Sequence, residues 1–158
     1  STDIFKDAYL YHGEVLEYGY PRNDPLYKKN SEAQRRALKD RLGLPQDKRI
    51  IMYAPTWRKE QIELQLDLEN FVKVMGNEVA LILRLHHLVS SWITIDQTHC
   101  EYLFNFSSSQ YDIQELFLIS DLLVTDYSSV MFDYANLGRP IVLYTYDLDN
   151  YRGIERGF

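Results

Sequence analysis

The sequence has a single cysteine, Cys100, and no apolar run near the roughly 20 residues that a membrane-spanning helix needs. One cysteine excludes a framework of disulfides within the chain and is typical of a reducing compartment. The sequence has no glycine-rich phosphate loop and no G-x-S-x-G motif, which argues against a dehydrogenase, a P-loop kinase and a serine hydrolase. Its four histidines and one cysteine show no zinc-ligand spacing beyond the adjacent pair His86 and His87.

Basic residues are scarce in the second part of the chain. Residues 67–158 contain 5 Lys and Arg against 13 Asp and Glu, whereas residues 1–66 contain 12 against 10. Non-specific binding of nucleic acid needs positive charge over a broad surface, and the overall charge of −6 argues against it. The slight positive balance of the first part leaves room for one anionic ligand held by a few groups.

What the sequence does contain is typical of one α/β domain. Its 158 residues, 46% of them hydrophobic, fit the usual domain size of about 100–200 residues. Apolar runs predict strands over 15–18, 49–53, 79–83, 102–106, 122–124 and 141–144. Helices are predicted near 3–11, from caps at Ser31, Asp67 and Asp112, and from the serines at 128–129 to about Leu137. Strands and helices that alternate with such short connections favour a parallel sheet of βαβ units.

Polar and ionisable residues are concentrated where the predicted strands end. In an open parallel sheet, ligands bind beyond the carboxyl ends of the strands. This rule selects five loops, namely residues 19–24, 54–58, 84–87, 125–129 and 144–151. We therefore expect the binding site to be assembled from these loops.

The pair Ser128 and Ser129 is a candidate phosphate site because it stands at the predicted start of a helix. Hydroxyls and unpaired backbone N–H groups at a positive helix end suit a phosphate. The alternative is that one serine simply caps the helix, and the residues alone leave both interpretations open.

Two further loops carry groups suited to an anion. Arg84 and His86 project to the same face in extended backbone and together suit a diphosphate, with the histidine also able to act as an acid or base. The alternative is that His86 bonds a loop carbonyl. Trp57 suits stacking on a base or packing in the core, and Arg58 suits pairing with a phosphate.

Several motifs stand in the order of a known family. They are Gly-Tyr-Pro-Arg-Asn-Asp at 19–24, Tyr-Ala-Pro-Thr-Trp-Arg at 53–58, Arg-Leu-His at 84–86, Ser-Asp-x-x-x-Thr-Asp-Tyr-Ser-Ser-x-x-Phe-Asp at 120–133, Arg-Pro-Ile at 139–141, Tyr-Asp-x-x-x-Tyr at 146–151 and Arg-Gly-Phe at 156–158. Together they closely resemble the CDP-glycerol glycerophosphotransferases, the teichoic acid primases and polymerases of Gram-positive bacteria. The resemblance extends from about Glu14 to Phe158.

The resemblance implies a GT-B-type fold with two Rossmann-like halves, of which residues 1–158 would be a single Rossmann-like donor-binding domain. It implies transfer of glycerol phosphate from CDP-glycerol to a lipid-linked glycerol phosphate acceptor in wall teichoic acid synthesis, with release of CMP. The Trp-His-Gly motif of the family's N-terminal half is absent, since Tyr11 precedes His12 and Gly13. We therefore expect the chain to be a fragment that lacks this N-terminal half and is inactive alone.

Position by position, the resemblance implies a catalytic role for His86 at the donor diphosphate. It implies substrate-binding roles for Arg84, Ser128, Ser129, Asp126, Thr56, Arg58, Arg22 and Asp24. His87 stands where many relatives have proline.

The resemblance implies no firm cofactor and leaves the need for a divalent metal open. It implies a cytoplasmic enzyme held peripherally at the inner face of the cell membrane. Two alternatives stay open at the level of sequence, a CDP-ribitol-type transferase and a noncatalytic nucleotide-binding module.

Overall fold

The computed structural model describes residues 2–58, 64–86 and 101–151. Their centre is a five-stranded sheet of β1 (Arg49–Tyr53), β2 (Val79–Leu83), β3 (Leu103–Asn105), β4 (Leu122–Thr125) and β5 (Ile141–Leu143). The strand order is β3-β2-β1-β4-β5, and every neighbouring pair is parallel. This architecture confirms the predicted α/β class with a parallel sheet.

The described helices are α1 (Thr2–Tyr9), α2 (Asp24–Lys28), α3 (Glu32–Arg41), α4 (Leu68–Met75), α5 (Ile113–Ile119), α6 (Val130–Tyr134) and α7 (Leu148–Asn150). Short 3₁₀ turns cover Pro21–Asn23, Gly76–Glu78 and Ala135–Leu137. The three predicted N-caps are confirmed, because Ser31, Asp67 and Asp112 each accept a hydrogen bond from a backbone N–H in the first turn. The Gln34 side chain also accepts a hydrogen bond from the backbone N–H of Ser31, which completes a capping box.

The sheet separates two apolar cores, as alternating side chains require. Ile50 and Met52 point into a core shared with α2, α3, α5 and α6, where Phe117 is fully buried. Ile51 and Tyr53 point into the other core, which is covered mainly by the half-buried apolar face of α4. Burial on both faces explains why the central strands β1 and β2 are nearly unbroken apolar runs.

The predicted strand over residues 15–18 is wrong. The segment has no strand structure, and Leu16 and Tyr18 are 63% and 91% exposed. An extended segment needs a neighbouring ladder for its backbone hydrogen bonds, and the described residues give this one no such partner.

Other predicted boundaries move by one or two residues. The strands predicted over 102–106 and 141–144 are shorter, and the strand over 122–124 is one residue longer. The loop predicted around residues 20–25 instead forms the turn Pro21–Asn23 and the start of α2. His87 and the motif at 156–158 lie outside the described residues.

The described helices are much shorter than the roughly 20 residues of a membrane-spanning helix. None of them, within 2–58, 64–86 and 101–151, has both the length and the apolar character that crossing a membrane requires.

Candidate functional site

A cleft opens at the carboxyl end of the sheet. It lies next to β1, because β2 and β3 are added on one side of β1 and β4 and β5 on the other. Tyr53 at the end of β1 lies opposite Leu83 of β2 and Val124 of β4, so three strands end at one level. The strand order places this change of side between β1 and β4, the usual position for a ligand in such a sheet. The cleft has a volume of about 470 Å³. We call it the central cleft.

Four strands contribute polar groups to the central cleft. The lining includes Thr56 and Trp57 after β1, Arg84 and His86 after β2, Ser107 and Ser109 after β3, and Ser128 after β4. Of the nine residues that the sequence predicted for the site, the structure therefore brings Thr56, Arg84, His86 and Ser128 together here.

Arg84 is held in place by carbonyl oxygens. Its Nη1 donates to the backbone oxygens of Phe106 and Ser108, at 2.7 Å each. Burial lowers the pKa of Arg84, while the more distant Asp112 acts in the opposite direction. Among the described residues no carboxylate forms an ion pair with Arg84. The guanidinium therefore brings an unneutralised positive charge to the wall of the central cleft.

His86 stands beside Arg84 on an anchored backbone. Leu85 between them is 4% exposed, and its N–H donates to Ser107 Oγ at 2.8 Å. The His86 imidazole itself is exposed and stacks against the Trp57 indole, with ring centroids 5.8 Å apart. The prediction that the two basic side chains share one side of the loop agrees with this placement, since both line the central cleft.

Arg58 lies beneath the central cleft and not in it. Its side chain is 5% exposed and pairs with Asp126 at 2.9 Å and with Asp147 at 3.0 Å. Nη1 of Arg58 donates to the Thr56 carbonyl at 2.9 Å. Burial by itself lowers the pKa of Arg58, but the hydrogen bonds and charges of the two carboxylates outweigh it and raise this pKa. All three guanidinium nitrogens therefore have hydrogen-bond partners inside the protein.

Asp126 joins the loops after β1 and β4. Its Oδ1 accepts from the Thr56 N–H at 2.8 Å, the Thr56 hydroxyl at 2.6 Å and the Tyr127 N–H at 2.7 Å. The residue is 3% exposed. A buried carboxylate with this many donors fixes the position of Thr56 at the edge of the cleft.

Asp147 closes the network from the loop after β5. It accepts from Arg58 and also from the Tyr127 hydroxyl at 3.0 Å. Burial raises the pKa of Asp147, but these bonds outweigh that effect and the pKa is lowered. Burial, together with the bond to Asp147, raises the pKa of Tyr127 to about 12. The Tyr127 ring stacks on Tyr151 at 3.9 Å, and Arg58 lies over both rings.

Asp147 and Tyr151 had no predicted role beyond their place in the motif at 146–151. Asp147 and Tyr151 both contact Arg58, although they stand 89 and 93 positions after it in the chain. No local sequence pattern reveals contacts over such separations. The only signal was the position of the motif after a strand end, at the same edge as the other loops.

The two serines face different spaces. Ser128 lines the central cleft, whereas Ser129 lines a second cleft of about 460 Å³. The helix that follows, α6, has only five residues before the 3₁₀ turn, so its dipole is shorter than the sequence indicated. The structure therefore brings one serine of the pair, Ser128, to the groups at Arg84 and His86.

The second cleft contains Arg22 and Asp24, and both side chains have partners. Arg22 pairs with Asp133 at 3.1 Å, and Asn23 donates to the same carboxylate at 2.8 Å. Asp24 pairs with Lys28 at 2.6 Å on the exposed surface of α2. These two predicted residues are thus separated from the central cleft.

Within 2–58, 64–86 and 101–151, no three His, Cys, Asp or Glu side chains are grouped so as to hold a metal ion.

Comparison with known proteins agrees with the motifs. The family model for CDP-glycerol:poly(glycerophosphate) glycerophosphotransferase matches residues 1–158. A teichoic acid poly(glycerol phosphate) polymerase from Bacillus spizizenii is 47% identical over 166 residues, which cover 100% of this chain and 42% of that protein. The chain therefore spans less than half the length of this relative.

Two solved structures have the same fold. The wall teichoic acid polymerase TagF matches with a TM-score of 0.86 and 40% identity, covering 99% of this chain and 40% of that one. A TagF variant soaked with CDPG for 30 minutes matches with a TM-score of 0.84 and 44% identity, covering 100% of this chain and 39% of that one.

These matches confirm the predicted fold class, a Rossmann-like parallel sheet with flanking helices as in a GT-B-type enzyme. Since the family model matches residues 1–158, the chain belongs to the CDP-glycerol:poly(glycerophosphate) glycerophosphotransferase family.

Proposed function

We propose that this chain supplies the donor site of an enzyme that transfers glycerol phosphate from CDP-glycerol to a hydroxyl of a lipid-linked glycerol phosphate acceptor in wall teichoic acid synthesis. The family description and the similarity to a TagF structure soaked with CDPG support this donor. The observation that carries the proposal is the position of Arg84, a cation without a carboxylate partner among the described residues, on the wall of the central cleft.

The groups around the cleft suit a diphosphate. Arg84 provides a positive charge and His86 a ring nitrogen, both from the loop after β2. Ser128 provides a hydroxyl from the loop after β4. Charge-assisted hydrogen bonds of this kind are about twice as strong as neutral ones. The arrangement therefore favours an anion with several oxygens over a neutral ligand.

In the proposed reaction the acceptor hydroxyl attacks the phosphorus of the glycerol phosphate group. The acceptor hydroxyl releases its proton to solvent as a new P–O bond forms to the acceptor, the bond to the bridging oxygen of the diphosphate breaks, and CMP leaves. Negative charge grows on the departing CMP phosphate. Arg84 and His86 stabilise that charge, and a preorganised cation at such a point is among the strongest catalytic devices available to an enzyme.

The remaining predicted residues act around this centre in the proposal. Asp126 and Arg58 hold Thr56 at the edge of the cleft through the buried network. Arg22 and Ser129 bind substrate from the second cleft, as does Asp24.

The domain and its location are part of the proposal. Residues 1–158 form a single Rossmann-like donor domain, and a second half of the same enzyme closes the site. The enzyme works on the cytoplasmic side, bound peripherally to the inner face of the membrane where a lipid-linked acceptor is found.

Calorimetry with CDP-glycerol tests the donor site. We expect the chain to bind CDP-glycerol weakly, since in this proposal a second half of the enzyme also contributes to the site. We expect Arg84→Met to weaken binding about tenfold or more because a charge-assisted contact is lost. Lys73→Met on the exposed surface of α4 is the matched control and leaves affinity unchanged. Equal affinity of wild type and Arg84→Met would overturn the proposed site.

Competition with CDP-ribitol and CMP separates the alternatives. A glycerol-specific enzyme, assayed in full length, prefers CDP-glycerol over CDP-ribitol in turnover. A noncatalytic module binds the nucleotide and shows no transfer to a lipid-linked acceptor.

A further inference from the structure

Two aromatic rings connect the loops after β1 and β2. The Trp57 indole and the His86 imidazole stack with centroids 5.8 Å apart and planes inclined by 29°. Both residues line the central cleft, and both also line a small cavity of about 30 Å³. The ring pair therefore lies between the two spaces.

Trp57 is not a core residue. Its side chain is 38% exposed, although the preceding strand β1 is buried. A large aromatic ring at an exposed position, held against a polar ring in a cleft, points to a role in the cleft and not in the stability of the sheet.

The backbone and the ring of His86 are held by different contacts. The backbone at residues 84–86 is anchored by the buried Leu85 and its bond to Ser107, but the imidazole extends from an exposed position. Stacking on the indole constrains the two side-chain torsions of His86. An aromatic pair in this distance range favours the stacked arrangement about two- to tenfold.

We propose that Trp57 is a positioning residue that orients the His86 imidazole towards the donor diphosphate. The inference rests on the proposed function, because it takes His86 as the group that engages the diphosphate. Trp57 acts through His86 and does not itself hold the substrate. Tyr53, Arg58 and Tyr146 line the small cavity beside the pair, and Arg84 lines the central cleft.

Kinetics of the full-length enzyme test the role of Trp57. We expect Trp57→Leu to lower kcat for transfer from CDP-glycerol about fivefold to tenfold, with KM changed less than twofold. Trp57→Phe preserves an aromatic face and recovers most of the lost kcat. A purely structural role would lower the amount of folded enzyme and would not separate kcat from KM.

A double-mutant cycle shows whether Trp57 acts through His86. In a His86→Ala background, Trp57→Leu causes no further loss of kcat, because the ring that it orients is gone. Independent, additive losses would mean that Trp57 contacts the substrate directly and would overturn the inference. So would a Trp57→Leu variant with raised KM and unchanged kcat.

Proton NMR of this chain tests the stack without any assay of activity. The indole ring shifts the ring-proton resonances of His86, and Trp57→Leu removes this shift while the resonances of His12 stay in place. A missing shift overturns the positioning role. An enzyme that stacks these rings but does not use CDP-glycerol overturns the proposed function instead, so the two failures are distinguishable.

Discussion

Two arginines follow neighbouring strands of one sheet, and their surroundings are opposite. Arg58 after β1 pairs with two carboxylates, Asp126 and Asp147, and its side chain is 5% exposed. Arg84 after β2 bonds two backbone carbonyls and lines the central cleft. Carboxylates neutralise a guanidinium, whereas carbonyls hold it and leave its charge in place. One arginine therefore stabilises the loops, and the other remains suited to an anionic ligand.

The largest effect on stability is expected at Arg58. Arg58→Met leaves the buried Asp126 and the half-buried Asp147 without their cation, and we expect a loss of about 3–5 kcal/mol in the free energy of unfolding. Arg84→Met loses two hydrogen bonds to carbonyls and costs about 1 kcal/mol. Urea denaturation of both variants measures the difference. Equal destabilisation would break the distinction between the two arginines.

The pH dependence of stability sharpens the comparison at Asp147. Its pKa in the folded chain is lowered, so its contribution is present above the unfolded value of about 3.9 and is lost as the pH falls through the folded value. We expect Asp147→Asn to be less stable than wild type at pH 7 and to differ less at pH 2 to 3. Urea midpoints at several pH values measure this.

The matched control for Asp147 is Asp149→Asn. Asp149 is exposed on the same short helix segment, so this change leaves the midpoints near those of wild type. A constant gap between wild type and Asp147→Asn across the pH range would contradict the stabilising role of the carboxylate.

The smallest effect is expected at an exposed ion pair. Lys28 and Asp24 are 72% and 57% exposed at the side chain, and their pair is worth about 0.3–0.5 kcal/mol. Lys28→Met should therefore shift the urea midpoint only slightly, and less still in high salt. A loss comparable to that of Arg58→Met would show that burial does not set the order of these effects.

Much of the fold was predictable because local signals and burial agree. Asp67 and Asp112 cap the helices that the sequence predicted, and the apolar runs of β1 and β2 have the predicted bounds. The strand over 15–18 failed for a physical reason. A short apolar run records a preference for extended backbone, but a strand forms only where another strand completes its hydrogen bonds.

The location of the site in the fold was predictable. The distribution of the predicted residues between the two clefts was less so. Arg84 and His86 were placed on one side from their spacing alone, and both line the central cleft. The spacing of Ser128 and Ser129 carried no such information, because adjacent residues at a turn point in different directions. Their separation into two clefts depends on the turn Pro21–Asn23 and α2, which line the second cleft together with Ser129 although they stand about 100 residues earlier in the chain.

The sequence by itself determined the class of fold, the family and the edge of the sheet where polar groups gather. These follow from local periodicity, helix capping and the order of short motifs, and each of these is a property of residues that are close together or ordered in the sequence. Only the tertiary structure decided which arginine is neutralised and which keeps its charge. That outcome depends on Asp126 and Asp147, brought to Arg58 from 68 and 89 residues away, and on the carbonyls that surround Arg84. Charge partners are chosen by distance in space, which the linear order of residues does not contain.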